Sequence, residues 1–389
     1  MSHPFDTADG APASWSHQAD TYVKPDAPVV SEARSAPARR QAYGWRGTTP
    51  RRPRRSRSRP RRVRRVMRTV LALTTGLVVA ACGTYAWAQT ELHRDVDLGA
   101  YGHDRASGKG TNYLIVGSDS RDGLSDSDVR DLHAGGGGGR RTDSIIVLHT
   151  GARGPVMLSL PRDSWVTIPG FHDPATGKQV PAAKDKLNAA FAYGGPELLA
   201  HTVERNTGIR IDHYAEIGFA GFVNVVDALG GVRFCLDRDI KDDKSGADLR
   251  RGCRTLNGTQ SLAFVRERHQ EAEGDLGRSR NQQRFLSALA DQAGRSRTFL
   301  DPTQMYPALS AGLDALVVDR SMDLERLMGM FRSLRGPGGA ARQVGMPVDA
   351  VGLHTAKGSV IRWDADRAAR LFQQIRADRP VTVRGGRRG

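Results

Sequence analysis

Five arginines crowd one short stretch of this chain, and four of them frame a turn. In LAFVRERHQEAEGDLGRSRNQQRFL, residues 262–286, Arg266, Arg268, Arg278 and Arg280 flank an acidic turn that holds Asp275. A guanidinium is a planar fork that grips phosphate oxygens through two parallel hydrogen bonds, so an Arg cluster suits pyrophosphate better than a Lys cluster does. Arg266 and Arg268, two apart after the apolar run Leu262 to Val265, share a face if that run is a strand. Arg278 and Gln282, four apart, share a face on a helix. A solvated, salt-bridged surface gives the same composition, so the stretch needs support from elsewhere.

Three apolar segments supply it. NYLIVGSDSR reads as a buried strand with Asp119 and Arg121 just past its C-terminal end. SIIVLHT is preceded by Arg140, Arg141 and Asp143, and PVMLSLP is followed by Arg162 and Asp163. The middle strand carries its charges before it and the outer two carry theirs after. An antiparallel middle strand therefore gathers all three sets at one sheet edge. Between the first two, the five glycines from Gly135 read as a mobile flap. KDKLNAAFAYGGP adds Lys186 and Asn188 ahead of a turn, and Pro196 starts a helix that stops at Gly208. HYAEIGF and VRFCL read as strands around a GFVNVVDALGG helix, and amphipathic patterns recur at 324–334 and 365–375. The fold class that follows is α/β, a mixed central sheet flanked by helices.

The chain has 389 residues, but the first 68 contain almost no Leu, Ile or Phe and read as a disordered arm. That arm holds sixteen basic and five acidic residues, +11 of the chain's net +16. The basic excess is thus local, and nucleic acid is not the expected partner. TVLALTTGLVVAACGTYAWA, residues 69–88, is uncharged and long enough to cross a ~30 Å hydrocarbon core as a helix. The Arg block before it places the N-terminus in the cytoplasm and the rest outside, with the arm against anionic lipid. A signal peptide or a lipoprotein cleavage box around Cys82 would require a far shorter leader. Residues 89–110 read as a polar stalk, 111–378 as one domain and 379–389 as a basic tail. Beyond the span only Cys235 and Cys253 remain, so an oxidising compartment gives one intramolecular disulfide. His149, His201, His213 and His269 have no Ser or Cys context that would mark a nucleophile.

With GSDSR, GRRTDSI, SLPRDS, KDKLNAAF and VRER…GDLGRSRNQQ in this order, residues 112–295 resemble the LytR-CpsA-Psr family of wall-polymer transferases, with weaker likeness to about 378. The resemblance implies transfer of a phosphoglycosyl polymer from a polyprenyl-pyrophosphate carrier to a peptidoglycan hydroxyl. It implies Asp119 and Asp143 as ligands of Mg²⁺ (or Mn²⁺), and Arg141, Arg162, Arg266, Arg268 and Arg278 as the pyrophosphate clamp. Arg121 and Lys186 join the clamp; Asp275 and Gln282 match the polar positions of the last motif. Asp275 is the first candidate for the general base and Asp163 the second. The Gly-rich insertion between the two aspartates departs from the family pattern. Pyrophosphate hydrolysis and a non-catalytic polyanion-binding regulator are the alternatives, and the carboxylate pair argues against the second, since a passive polyanion receptor gains nothing from it.

Overall fold

The computed structural model describes residues 61–102, 108–120, 130, 141–267, 275–295, 302–335 and 341–386. Residues 1–60 of the N-terminal arm, the Gly135 run, Arg121, Arg140 and Arg268 lie outside them, while residues 61–68, expected as part of a disordered arm, are helical; of Asp275 only its place at the start of a helix is described.

Helix α1 (Arg61–Thr90) extends the expected 69–88 segment at both ends. It is the one helix among the described residues long and apolar enough to cross a membrane, and it leaves Leu71, Leu73, Leu77 and Val79 exposed. The segment expected as a stalk is built into the domain instead. Leu92 is buried, and β1 (His93–Val96) pairs in parallel with β14 (Leu316–Asp319).

The central sheet has seven strands. To β1 and β14 it adds β2 (Thr111–Ser118), β3 (Thr142–Thr150), β4 (Val156–Ser159), β9 (His213–Ile217) and β15 (Arg342–Gly345), in the order β1-β14-β9-β2-β3-β4-β15. β3 is antiparallel to both β2 and β4, as the charge placement requires, while β2 and β9 run parallel. Strands buried on both faces read as continuous apolar runs, which is why β2, β3 and β4 stood out in the sequence. Five two-stranded pairs lie outside this sheet among the described residues; three of them are β5 (Trp165–Ile168) with β8 (Ala183–Lys186), β6 (Phe171–His172) with β7 (Gln179–Val180), and β16 (Val348–Thr355) with β17 (Gly358–Trp363).

One face of the sheet is covered by α2 (Leu187–Thr207) and α8 (Ala365–Arg376), through Leu198, Leu199, Val203, Leu371, Phe372 and Ile375. α2 is two helical pieces. Gly194 and Gly195 break it, Gly195 at φ 69°, so the helix beginning at Pro196 is as expected, and a separate turn of helix precedes it. Gly208 ends it in the left-handed conformation. The other face carries α5 (Asp275–Arg295), α6 (Pro302–Asp314) and α7 (Leu324–Arg335), with Ala290, Leu313, Met322, Leu327, Met330 and Leu334 in the core.

A third apolar cluster joins α5 to α3 (Phe219–Ala228), α4 (Gly258–Arg266), β10 (Val232–Leu236), β11 (Ile240–Asp242), β12 (Ala247–Leu249) and β13 (Gly252–Leu256). Phe234, Phe264 and Phe285 form its centre, with ring centroids 4.8 to 6.1 Å apart. Here one expectation is corrected: the apolar run before Arg266 is helix α4, not a strand, so Arg266 does not sit on a strand face. Asn257 and Gln260 decide this with a capping box, each side chain accepting the other's backbone N–H at 2.9 and 3.2 Å. The tail after 378 is also tied in, since Val381 is buried and Gly386 bridges to Pro347.

Cys235 and Cys253 are directly opposed in the β10–β13 ladder and disulfide-bonded. They close an 18-residue separation containing the polar β11–β12 hairpin, whose own apolar content is small. Closing a loop of that length stabilises by about 3 kcal/mol. The Cys235→Ser/Cys253→Ser double variant should lose about that much in urea unfolding; an unchanged midpoint and slope would show that the bond contributes nothing.

Candidate active site

The site is organised by an irregularity where β2 meets β3. Gly117 is opposite Ser144 and Ser118 is opposite Thr142, which leaves Asp143 as the extra residue of a β-bulge. A bulge re-aims the side chain it carries, and Asp143 lines a cavity beside the sheet. One step on, Asp119 donates its N–H to the Arg141 carbonyl at 2.9 Å and its Oδ1 accepts the Arg141 N–H at 2.5 Å. The two aspartates are thus held at adjoining ends of paired strands. Gly117 makes room for this approach, since a Cβ there would stand 3.3 Å from the Ser144 Cβ.

Arg162, in the turn after β4, reaches back across the edge. Its Nη1 donates to Asp143 Oδ1 at 2.6 Å, and its Nε lies 3.4 Å from Asp163 Oδ2. Lys186 Nζ, at the end of β8, lies 2.8 Å from Asp163 Oδ1. Asp143, Arg162, Asp163 and Lys186 therefore alternate in charge along the sheet edge.

The α4–α5 corner closes the opposite side. Gln282 donates to the Val265 carbonyl at 3.1 Å, fixing the end of α4, where Arg266 lies with its guanidinium 4.8 Å from the Phe219 ring centre. Phe219 begins α3 and donates its N–H to the Ser120 carbonyl at 3.3 Å, which ties the corner to the residues after β2. Arg278 and Gln282 share a face of α5 as expected, but Arg278 is 2 % exposed and lies outside the lining of the cavity, whereas Gln282 lines it.

The cavity has a volume of about 490 Å³ and lies between the sheet and helices α3 to α7. Its walls are apolar, with Ile115, Ile146, Phe285, Leu289, Leu313 and Phe331 among them. Asp143, Arg266 and Gln282 stand in the same lining. An apolar volume of this size with a few convergent polar groups has the form of a ligand site.

Sequence reasoning missed several residues here. Glu216 on β9 is 2 % exposed, accepts from the Tyr214 hydroxyl at 2.9 Å and contributes to the lining. Gln283 donates to the carbonyls of Met157 and Val344, at 2.8 and 3.3 Å, and so pins α5 to β4 and β15. A lone carboxylate in HYAEI and a second Gln in NQQ give no periodic signal. The described histidines do not form a nucleophilic centre at the site. His213, Asp319 and Ser321 do meet, but the carboxylate and the hydroxyl approach the same ring nitrogen, at 3.3 and 3.4 Å, at the far end of β9. His149 is buried at the far end of β3 against Asn112 and Asp378, and burial pushes its imidazole below the ordinary value.

The LytR_cpsA_psr family model matches residues 84–363. A probable cell wall biosynthesis protein, LcpB of Corynebacterium glutamicum, is 40 % identical over 306 residues, 78 % of this chain and 69 % of that protein. Cell wall biosynthesis protein LcpA of the same species is 30 % identical over 287 residues, 68 % of this chain and 55 % of that one. Among solved structures, a LytR-Csp2A-Psr enzyme from Actinomyces oris shares the fold, with a TM-score of 0.53 at 20 % identity over 73 % of this chain and 97 % of its own. Protein gbs0355 of Streptococcus agalactiae does so with a TM-score of 0.53 at 22 % identity, covering 70 % and 90 %. A family match across most of the domain and a relative at 40 % identity place this chain in the LytR_cpsA_psr family of cell wall biosynthesis proteins.

Proposed function

We propose that this protein transfers a phosphoglycosyl polymer from polyprenyl pyrophosphate to a hydroxyl of peptidoglycan, on the outer side of a membrane that α1 crosses with its N-terminus in the cytoplasm. The observation that carries the reading is an apolar cavity of about 490 Å³ with Asp143, Arg266 and Gln282 in its lining. A lipid tail requires the apolar walls and a pyrophosphate requires the cations. The polymer stays in solvent.

In the reaction, the acceptor hydroxyl oxygen bonds to the sugar-side phosphorus. The bond from that phosphorus to the bridging oxygen breaks, and polyprenyl phosphate leaves with the electron pair. Arg266 and the clamp residues Arg141 and Arg162 face the negative charge that develops on the leaving phosphate, where fixed donors in a water-poor site act strongly. Arg121 and Arg268 are assigned to the same clamp. Arg278, buried in the first turn of α5, is assigned to the sugar-side phosphate. The hydroxyl proton goes to Asp275, the first residue of α5. Asp163 is less suited, because Lys186 and Arg162 already engage its two carboxylate oxygens.

Asp119 and Asp143 would hold Mg²⁺ (or Mn²⁺), which would supply charge neutralisation at the phosphate oxygens. The donor set fits: two hard carboxylates at adjoining strand positions, with phosphate and water completing the sphere. Among the described residues no group of three or more His, Cys, Asp or Glu gathers that could hold an ion alone. A metal here would depend on the substrate.

Asp119→Ala and Asp143→Ala should each abolish Mg²⁺-dependent turnover and leave the circular dichroism spectrum unchanged; full activity in both would assign the pair to structure alone. The reaction itself is read by incubating the full-length protein in detergent with labelled lipid-linked donor, Mg²⁺ and peptidoglycan oligomer. A covalent polymer–peptidoglycan adduct is the expected product. Cleaved donor without adduct would make the protein a hydrolase, and intact donor would make it a binding protein.

A further inference from the structure

The hairpin β16–β17 stands outside the central sheet, yet it touches the charged edge at two points. Along β17, Ile361 donates its N–H to the Asp163 carbonyl at 2.8 Å and bridges Ser164, and Trp363 Nε1 donates to Ser164 Oγ at 2.8 Å. At its turn, Lys357 Nζ lies 2.9 Å from Asp185 Oδ2. Asp185 is 6 % exposed, and its carboxylate also accepts from the Tyr193 hydroxyl at 2.8 Å and from the Lys186 N–H at 2.8 Å. Burial pushes the Asp185 carboxyl up, but Lys357, the Lys186 N–H and Tyr193 together pull it below its ordinary value. The residue that follows Asp185 is Lys186, whose ammonium holds Asp163. Asp163 in turn meets Arg162, and Arg162 meets the bulged Asp143. Backbone bonds run alongside, from Leu187 N–H to the Ser164 carbonyl at 2.9 Å and from Asn188 N–H to the Arg162 carbonyl at 3.1 Å.

We propose that Lys357 and Asp185 are positioning residues: through the β8–α2 junction, the tip of the β16–β17 hairpin sets where Lys186 and Arg162 stand at the phosphate end of the site. The assignment rests on the phosphoryl-transfer reading for its effect on rate, and on geometry alone for its effect on the junction. Asp185 is the interior anchor, since it is buried and holds three donors. Lys357 is the adjustable member, since its side chain is half exposed and its pair with Asp185 is open to screening by salt. A carboxylate buried beside one residue of the clamp and satisfied from a hairpin more than 160 residues later links the C-terminal part of the domain to the chemistry.

The test uses the full-length protein in detergent, with Lys357→Ala, Lys357→Arg and Asp185→Asn. Two readouts separate the proposal from the function it rests on. The first is hydrogen exchange at the Leu187 and Asn188 amides, which needs no turnover. The second is the split between kcat and KM for the lipid-linked donor. Lys357→Ala should speed exchange at both amides and lower kcat by about two- to fivefold, the range of an exposed ion pair, with KM unchanged because the lipid cavity is untouched. Lys357→Arg should restore both, and Asp185→Asn should exceed Lys357→Ala in both. Unchanged exchange in Lys357→Ala overturns the proposal, as does a kcat loss that Lys357→Arg does not rescue. If wild type does not turn over, the functional reading fails, and exchange at the two amides still decides the positioning role.

Discussion

The antiparallel pairing of β2 with β3, and the one residue by which it fails to match, is the constraint on which the site depends. A strand repeats every two residues, so every side chain along a regular ladder is committed to one face. The extra residue at Asp143 breaks that commitment where the ladder ends, and a carboxylate at the sheet edge joins the cavity lining without costing the strand its buried positions. Because β3 also pairs antiparallel with β4, the turn after β4 brings Arg162 to the same edge. The charges that look scattered over more than forty residues of sequence are neighbours because of two strand reversals.

The second requirement is open apolar space next to those charges. Protein interiors are close-packed, and unfilled volume forgoes dispersion contacts, so side chains that could fill a cavity this size must be kept from doing so. Small residues in the lining do this. Gly312 on α6 faces open space, with nothing within 4 Å of a Cβ built there, and Ala290 and Ala293 on α5 leave room along the opposite wall. α5 itself is held by Gln283 to the sheet and by Gln282 to α4, so the walls are fixed by hydrogen bonds rather than by collapse onto one another. The interior that results is an apolar volume with Asp143, Arg266 and Gln282 in its lining.

Much of this was legible in the sequence, for identifiable reasons. Strands covered on both faces announce themselves as apolar runs, so β2, β3 and β4 were read correctly, and the order of their flanking charges gave the antiparallel pairing. The capping box at Asn257 and Gln260 was also present as NGTQ, but the four apolar residues before Arg266 have no period of their own and were read as a strand. Helical or extended, the segment delivers Arg266 to the corner beside the cavity. β1 was hidden because its four residues, HRDV, carry one buried side chain and acquire strand character from β14, a partner more than 200 residues away. Glu216, Asp185 and Lys357 were invisible for the same reason: their roles are set by tertiary neighbours, and nothing local marks them. The bulge at Asp143 and the cavity also depend on register and packing, which one sequence does not display.

On the proposed function, the cavity and its charged rim form one site for a phosphorylated lipid. Retention of polyprenyl phosphate by the full-length protein, read by native mass spectrometry against Gly312→Trp, tests it most directly, because the indole fills the cavity while leaving every charged residue in place. Wild type should retain the lipid, and the variant, with unchanged circular dichroism, should release it. Equal retention by both proteins, or retention by neither, would contradict it.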